Sequence, residues 1–395
     1  MRSRAAVPVT IATGRDLERI ADEARSDGAL GLDTEFMRER TYRARLCLVQ
    51  VATRSAIYLL DPLDGADLSP LGELLGAEDV EIVVHAGRQD LELFHETLDV
   101  VPRNVFDVQL AAAFAGHGAS LPYGRIVAEI VGARITKGES YSDWCRRPLS
   151  RAQLDYAADD VRYLLDVSDA LKRRLRELGR LEWLEEEMVL QHRAESYELD
   201  LDGAWRKVGG RGSLSGRQIA VLREVARWRE EAAARRDIPR GWVLKDPTLV
   251  EIARRAPATS RDLARIRGIS TAEVERSGGE IVAAVERGRN APAVEQRPSP
   301  PREALLRARL VSSLADALVR ARCERASIAT ELVATRGDLE EVLAERFAGD
   351  GDGESHRLLQ GWRREIAGTA VLDLADGRIA LRALGARPWV EEVPL

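Results

Sequence analysis

The pattern of hydrophobic and polar positions changes twice along the chain. In the first half, short apolar runs alternate with helical patterns. The runs that predict strands are Ala29–Phe36, Leu46–Val51, Ile57–Leu60 and Glu81–Val84. Helices are predicted around Leu68–Leu75 and over Arg88–Leu98, and Ser150, three residues before Gln153, has the spacing of a capping box that starts another. Strands with interleaved helices predict a mixed α/β sheet covered by helices.

The second half is helical in pattern. Helical periodicity covers 213–288, with turn signals at Pro239, Pro257 and Gly268, and resumes from Glu303 to about Ile366. These observations predict four segments: an α/β domain (1–203), an all-α module (204–290), a proline-rich linker (291–301) and a second helical domain (302–395). The two helical segments are similar in length and pattern, which leaves room for a degenerate duplication. The stretch 369–384 is compatible with a short helix or a hairpin.

Composition narrows the class of protein. The 395 residues are 45% hydrophobic and 31% charged, which argues against wholesale disorder. No apolar run approaches the ~18 residues of a membrane span, and the first residues lack the pattern of a signal peptide. The sequence has three cysteines, which are far apart along the chain. We therefore expect neither a disulfide framework nor a zinc knuckle, and we expect a reducing cytoplasm around Cys47, Cys145 and Cys323.

Charge is unevenly distributed. The net charge is −6, but residues 204–290 carry 19 basic and 11 acidic side chains, a net of +8, whereas residues 1–203 carry −12. A basic module beside an acidic domain indicates polyanion binding, and an Arg-rich helical bundle without that role is the alternative. Only four of the 59 basic residues are lysine, which indicates compositional drift and lowers the weight of any single arginine.

Acidic residues recur at strand and helix ends of the first domain. Asp33 and Glu35 share one face of a strand, where at ~5 Å and a dielectric constant of ~20 they repel by about 3 kcal/mol, which a cation would relieve. Asp90 lies early in a helix that follows a buried strand, where the helix dipole favours a carboxylate and a structural acid is the default interpretation. Tyr156 and Asp160, spaced i and i+4, share one helix face. A solvated strand or helix face is the alternative for each.

These motifs together resemble the DEDD superfamily of 3′→5′ exonucleases. Asp-x-Glu matches Asp33 and Glu35, His-x4-Asp matches His85 and Asp90, and Tyr-x3-Asp matches Tyr156 and Asp160. The stretches GLDTEFMRERTYRARLCLVQVA and ITKGESYSDWCRRPLSRAQLDYAADDVRYLL, and the basic module, are similar to the ribonuclease D family. The resemblance implies a ribonuclease H-like mixed sheet with helices, followed by one or two helical HRDC domains, the second being divergent.

The resemblance also implies the chemistry. Four carboxylates would hold two divalent ions, Mg²⁺ or Mn²⁺, and Tyr156 would orient the attacking water. The ligands would be Asp33, Glu35, Asp90 and Asp160, and the substrate an RNA 3′ end, with tRNA precursors as the expected case. His85 as a zinc ligand lacks partners at suitable spacing. Stacking on bases by Trp205, Trp228 or Trp242 competes with a core role for each.

Other functions remain as alternatives. A Walker-type NTPase is excluded, because the sequence has no Gly-x4-Gly-Lys-Ser/Thr motif. A DNA exonuclease with the same site is the nearest alternative, since the acids do not distinguish DNA from RNA. A non-catalytic RNA-binding protein is the alternative from another class.

Overall fold

The chain forms two compact units, each assembled from separate stretches. The computed structural model describes residues 7–38, 40–135, 142–191, 193, 197, 200–295, 299–349 and 355–395. One unit, here called the sheet unit, contains residues 1–35, 48–193 and 299–395; the other, the helical unit, contains residues 36–47 and 194–298. Part of the motif stretch (136–141) and of the predicted linker (296–298) lies outside the described residues.

A six-stranded mixed sheet organises the N-terminal half. Its strands, in chain order, are β1 (Val9–Ala12), β2 (Ala29–Met37), β3 (Arg45–Ala52), β4 (Ile57–Leu60), β5 (Glu81–Val84) and β6 (Val105–Asp107). Their spatial order is β1-β4-β3-β2-β5-β6, in which β2, β5 and β6 run parallel and β4 pairs antiparallel with β3. The predicted mixed α/β sheet is confirmed. Two short strands, β1 and β6, were not predicted.

Eight helices follow or separate these strands in the described part of residues 1–193. They are α1 (Leu17–Asp27), α2 (Ser69–Leu75), α3 (Arg88–Leu98), α4 (Val108–Phe114), α5 (Tyr123–Ile130), α6 (Arg151–Arg162), α7 (Leu164–Leu178) and α8 (Leu181–Gln191). Apolar side chains at helical spacing, such as Leu17, Ile20 and Ala24 of α1, are buried. The strands β3 and β4 are buried along almost their whole length, as expected for a sheet with both faces covered.

The helical unit is built around one long helix. Its helices are α9 (Gly216–Arg236), α10 (Arg240–Val243), α11 (Asp246–Arg255), α12 (Ser260–Leu263) and α13 (Thr271–Asn290). A cluster of apolar side chains from all five helices forms its core. The long helices α9 and α13 approach closely because residue 288 is glycine. A Cβ on Gly288 would lie 2.4 Å from the Cα of Val221.

The C-terminal helices repeat this arrangement. They are α14 (Arg302–Ala326), α15 (Thr330–Val333), α16 (Arg336–Ala348), α17 (Gly361–Arg363) and α18 (Thr369–Ala375), followed by an antiparallel hairpin of β7 (Ile379–Ala383) and β8 (Val390–Pro394). In both copies a long helix ends in a residue of positive φ, Asp237 (45°) or Ser327 (49°). A four-residue helix, α10 or α15, begins three residues after this residue. The next helix, α11 or α16, begins three residues after the four-residue helix ends.

The second copy packs within the sheet unit. The buried guanidinium of Arg180 donates hydrogen bonds to the carbonyls of Phe114 (2.8 Å) and Ser327 (2.7 Å), and also to that of Ala326. The indole of Trp362 packs edge-on against Phe114, with ring centroids 5.0 Å apart, and stacks on Trp183. Residues 299–395 therefore complete the unit that contains the sheet.

One sequence expectation is wrong. Cys47 and Cys145 are disulfide-bonded, whereas Cys323 is free and buried. Distance along the chain says nothing about distance after folding, so sequence separation was a poor argument against a disulfide. Among the residues that the structure describes, no helix is both long and apolar enough to span a bilayer.

Candidate active site

Two acids lie on the same face of β2. Asp33 and Glu35 alternate with the buried Thr34, as the two-residue period of a strand requires, and both are half-buried. The strand lies between β3 and β5, inside the sheet. Because this position is inside the sheet, the structure argues against the alternative that the pair lies on a solvated strand face.

A tight turn places a third acid beside them. Between β5 and α3, Ala86 has a φ of 53° and donates its backbone N–H to Asp107 at 3.0 Å. Gly87 follows, where a Cβ would lie 2.5 Å from the Cβ of Val84, so the turn accepts only glycine at that position. The turn puts Asp90 in the first turn of α3, where it is 8% exposed and accepts a hydrogen bond from the Thr34 hydroxyl.

The helix α6 supplies the remaining two residues. Its start is fixed by the predicted capping box: Ser150 Oγ accepts from the N–H of Gln153 (3.2 Å), and Gln153 Oε1 accepts from that of Ser150 (2.9 Å). One turn apart on this helix, the hydroxyl of Tyr156 hydrogen-bonds to the carboxyl of Asp160. The ring of Tyr156 packs on the buried Trp144, with centroids 5.9 Å apart.

The four carboxyl groups interact strongly. Burial, then the charges of Asp90, Asp160 and Glu35, raise the pKa of Asp33 well above its usual range. Burial and the charges of Asp160 and Asp90 raise the pKa of Glu35 to about 8. The structure thus brings together all four acids predicted from the sequence.

Two hydroxyl groups moderate this repulsion. Burial raises the pKa of Asp90 to about 6, against the lowering effect of the hydrogen bond from Thr34. Burial raises the pKa of Asp160 to about 7, against the lowering effect of Tyr156. Opposing influences of this kind are common in sites that hold protons or cations.

The donor set fits a hard divalent cation. Four converging carboxyl groups provide oxygen ligands and repel one another, and a cation would relieve that repulsion. Among the described residues, no three acid, histidine or cysteine side chains already surround one point as metal ligands would. The hydrogen bonds from Thr34 and Tyr156 engage the carboxyl groups of Asp90 and Asp160. We expect those two hydrogen bonds to yield when a cation binds.

Two aromatic residues around the acids were missed by the sequence reasoning. The buried Tyr123 accepts a hydrogen bond from the N–H of Tyr163 at 3.1 Å, and burial followed by nearby acids, Asp160 among them, raises its pKa. Trp144 supports Tyr156. The His85 ring packs on Tyr123, and its Nε2 lies 3.0 Å from the carbonyl oxygen of Leu121, which agrees with a structural histidine. No spacing rule links Tyr123 or Trp144 to the acids, so only the structure finds them.

Comparisons with known proteins agree with this geometry. Residues 8–176 match a family model described as a 3′-5′ exonuclease, and residues 218–285 match the HRDC domain. The chain is 40% identical to a ribonuclease D of Gluconacetobacter diazotrophicus, over 98% of this chain and 97% of that protein. The chain belongs to the ribonuclease D family. A ribonuclease D of Acidiphilium cryptum is 37% identical, over 98% of both proteins.

A solved structure supports the same assignment. Escherichia coli RNase D, described as an exoribonuclease involved in structured RNA processing, superposes with a TM-score of 0.78 at 29% identity, over 94% of this chain and 99% of that one. The predicted fold class and family are confirmed. As a member of the ribonuclease D family, the chain is a 3′-5′ exoribonuclease.

Proposed function

We propose that Asp33, Glu35, Asp90 and Asp160 form the catalytic centre and hold two Mg²⁺ or Mn²⁺ ions. The observation that carries this proposal is that four carboxyl groups with raised pKa values come together from three elements. These elements are the strand β2, the first turn of α3 and the helix α6, which also bears Tyr156. When bound, two such ions neutralise the charge that develops on the phosphoryl oxygens and on the leaving 3′ oxygen. Oxygen-only ligands favour these metals over zinc.

The protein's own groups prepare the site for that chemistry. Asp33 would hold the ions together with the other three acids, whose charges all raise its pKa. Tyr156 orients the attacking water through its hydroxyl, which here donates to Asp160. It acts as an orienting group more than as a base, since a phenol with a pKa near ~10 is a poor proton acceptor at neutral pH. Trp144 fixes the ring from its other side.

We further propose that the substrates are 3′ ends of structured RNA, such as tRNA precursors, from which nucleoside 5′-monophosphates are released. The involvement of E. coli RNase D in structured RNA processing supports this substrate class. We propose the cytoplasm as the compartment. Measuring activity with and without a thiol reductant tests whether the enzyme stays active when Cys47 and Cys145 are reduced. We also propose that residues 302–395 are a divergent HRDC-like domain, supported by the repeated helix arrangement.

The test is hydrolysis of a 5′-labelled RNA in Mn²⁺, with DNA of the same sequence in parallel. We expect progressive shortening from the 3′ end of the RNA and loss of activity in Asp33→Asn. The matched control is Asp155→Asn, on the same helix as Asp160 but with a side chain 52% exposed and paired to Arg151. Equal turnover by Asp33→Asn and wild type would remove the catalytic centre from this site. Faster hydrolysis of DNA would favour the alternative substrate.

A further inference from the structure

A short basic segment leaves the catalytic strand and joins the helical unit. Residues 36–47 group with residues 194–298 and not with the sheet unit. The segment contains four arginines, Arg38, Arg40, Arg43 and Arg45, against one acid, Glu39, a net charge of +3 within a stretch 1–203 of net −12. Because this segment is basic within an acidic stretch, the contacts of its arginines indicate what the positive charge does.

The segment is fixed through its backbone and one aromatic ring. Tyr42 packs against the apolar core of the helical unit and donates its hydroxyl to Glu230 at 3.0 Å. Asp237 accepts hydrogen bonds from the backbone N–H groups of Tyr42 (3.0 Å) and Arg43 (3.3 Å). These contacts hold the chain and use none of the guanidinium groups.

The four arginine side chains are exposed and form no ion pair with the residues that the structure describes. This differs from much of the helical unit, where arginines are paired: Arg235 with Glu280 at 2.8 Å and Arg236 with Glu273 at 2.9 Å. Unpaired guanidinium groups on an anchored backbone are available to phosphate, which they bind in a bidentate manner.

An exposed tryptophan lies on the same part of the helical unit. Glu230, which accepts from Tyr42, also lies 3.5 Å from a guanidinium nitrogen of Arg240, the first residue of α10. Two residues on, Trp242 is 63% exposed, whereas Trp228 is 3% exposed and its indole donates to Glu280. Of the three tryptophans considered for stacking, Trp242 is exposed, whereas Trp228 is buried and Trp205 is half-buried.

The second helical copy shows what the same turn does when it is covered. There Leu332 occupies the position of Trp242, and the turn packs within the sheet unit through the N–H of Ala329, which donates to the carbonyl of Ala113 at 3.0 Å. In the first copy, the corresponding turn holds the basic segment and leaves its tryptophan exposed. The two copies thus use one turn in two ways.

We propose that Arg38, Arg40, Arg43 and Arg45 together with Trp242, here called the Arg–Trp surface, bind single-stranded RNA next to its 3′ end. The arginines hold backbone phosphates and the indole stacks on a base, a combination that tolerates any sequence. Arg38 is the third residue after Glu35, so their Cα atoms are at most about 11 Å apart. RNA held by Arg38 is thereby close to the carboxylates. The proposal rests on the proposed function of that site.

The experiment measures binding of a fluorescent single-stranded RNA to the full chain in EDTA, from low to moderate salt. Arg40→Gln/Arg43→Gln removes two exposed cations from the segment. The control, Arg261→Gln/Arg267→Gln, removes two exposed arginines elsewhere on the helical unit that form no ion pair with any described residue. Because each phosphate contact on a single strand contributes about 0.7 to the slope of log K against log salt, the first variant should reduce the slope by about 1.4 and the control should leave it unchanged. Trp242→Ala should weaken binding about 5- to 150-fold without changing the slope.

Equal slopes for the two double variants would overturn the proposal, as would unchanged RNA affinity in Trp242→Ala. A second readout separates this proposal from the assignment of the catalytic centre. The p-nitrophenyl ester of a nucleoside 5′-monophosphate has one phosphate and one base, so it offers no further phosphate to Arg40 or Arg43 and no further base to Trp242. All these variants should therefore hydrolyse it at the wild-type rate. Failure of the wild type to hydrolyse it would count against the catalytic centre alone, and the binding slopes would still decide the present proposal.

Discussion

Replacing Glu35 with glutamine tests the electrostatics of the carboxylate site. The pKa of Glu35 is raised from 4.5 to about 8, first by burial and then by Asp160 and Asp90. A carboxyl group whose pKa is higher in the folded than in the unfolded chain destabilises the folded state when the group is ionised. Below about pH 4 the group is protonated in both states and has no effect on stability. Between about pH 4.5 and 8 the folded state loses stability as pH rises.

The size of this effect follows from the shift. At 1.36 kcal/mol per pKa unit, the shift corresponds to about 5 kcal/mol of lost stability above pH 8. The glutamine variant removes this loss but buries an amide, which costs about 1–3 kcal/mol where hydrogen bonds are incomplete. The variant should therefore be more stable than wild type by about 2–4 kcal/mol at pH 8 and less stable at pH 4. At about 2–4 °C per kcal/mol, the gain at pH 8 is of order 10 °C in Tm.

The assay is thermal unfolding in EDTA at both pH values. Glu78→Gln is the control, because Glu78 is 78% exposed and forms only a surface ion pair with Arg103; such pairs contribute about 0–1 kcal/mol. Mn²⁺ should raise the Tm of the wild type at pH 8 and raise that of Glu35→Gln less. A Tm difference between Glu35→Gln and wild type that is the same at pH 4 and pH 8 would refute the reasoning, because the substitution would then act through packing alone.

Three further predictions follow from other parts of the structure. Tyr156→Phe should lower kcat by about 10²-fold with little change in RNA binding; a collapse of Mn²⁺ binding, measured by calorimetry, would make the tyrosine structural instead. Arg180→Met leaves buried carbonyls unpaired and should reduce stability by about 3–6 kcal/mol in denaturant titrations, whereas Arg174→Met, at a side chain half exposed, should change it by less than about 1 kcal/mol. Gly288→Ala should destabilise the helical unit by more than about 2 kcal/mol because its Cβ meets backbone, and Gly279→Ala, with open space on the same helix, should be neutral or stabilising by up to about 1 kcal/mol; similar Tm values for the two would contradict this.

Local signals in the sequence were enough to predict the elements that carry the site. The capping box at Ser150 and the helix Arg88–Leu98 are found as predicted, because both depend on interactions within a few residues. The strand that contains Asp33 and Glu35 follows from the kind of apolar run that any buried strand needs. Short strands at the sheet edge, such as β1, carry too few apolar residues to be recognised: Val9 and Ile11 are 44% and 65% exposed.

What the sequence could not supply was long-range geometry. The hydrogen bond from Thr34 to Asp90 joins residues of different elements, and the packing of Trp144 on Tyr156 joins a loop to a helix. Neither leaves a periodic pattern. The disulfide bonding of Cys47 and Cys145 and the grouping of residues 36–47 with the helical unit are of the same kind. Such contacts depend on the complete fold and were outside the reach of local reasoning.

The placement of residues 299–395 in the sheet unit affects how the protein is made. A ribosome that adds about 5–20 residues per second needs roughly 10–40 s to proceed from the end of α8 to the C-terminus. During that interval the guanidinium group of Arg180 lacks the carbonyl acceptors that Ala326 and Ser327 will supply, and the face of Trp183 that Trp362 will cover is open. The helical unit is complete at about residue 298, so it can fold first although it is encoded later than the sheet. The order of folding would then differ from the order of synthesis, and a nascent chain stalled before residue 299 would present an unfinished sheet unit to chaperones and proteases.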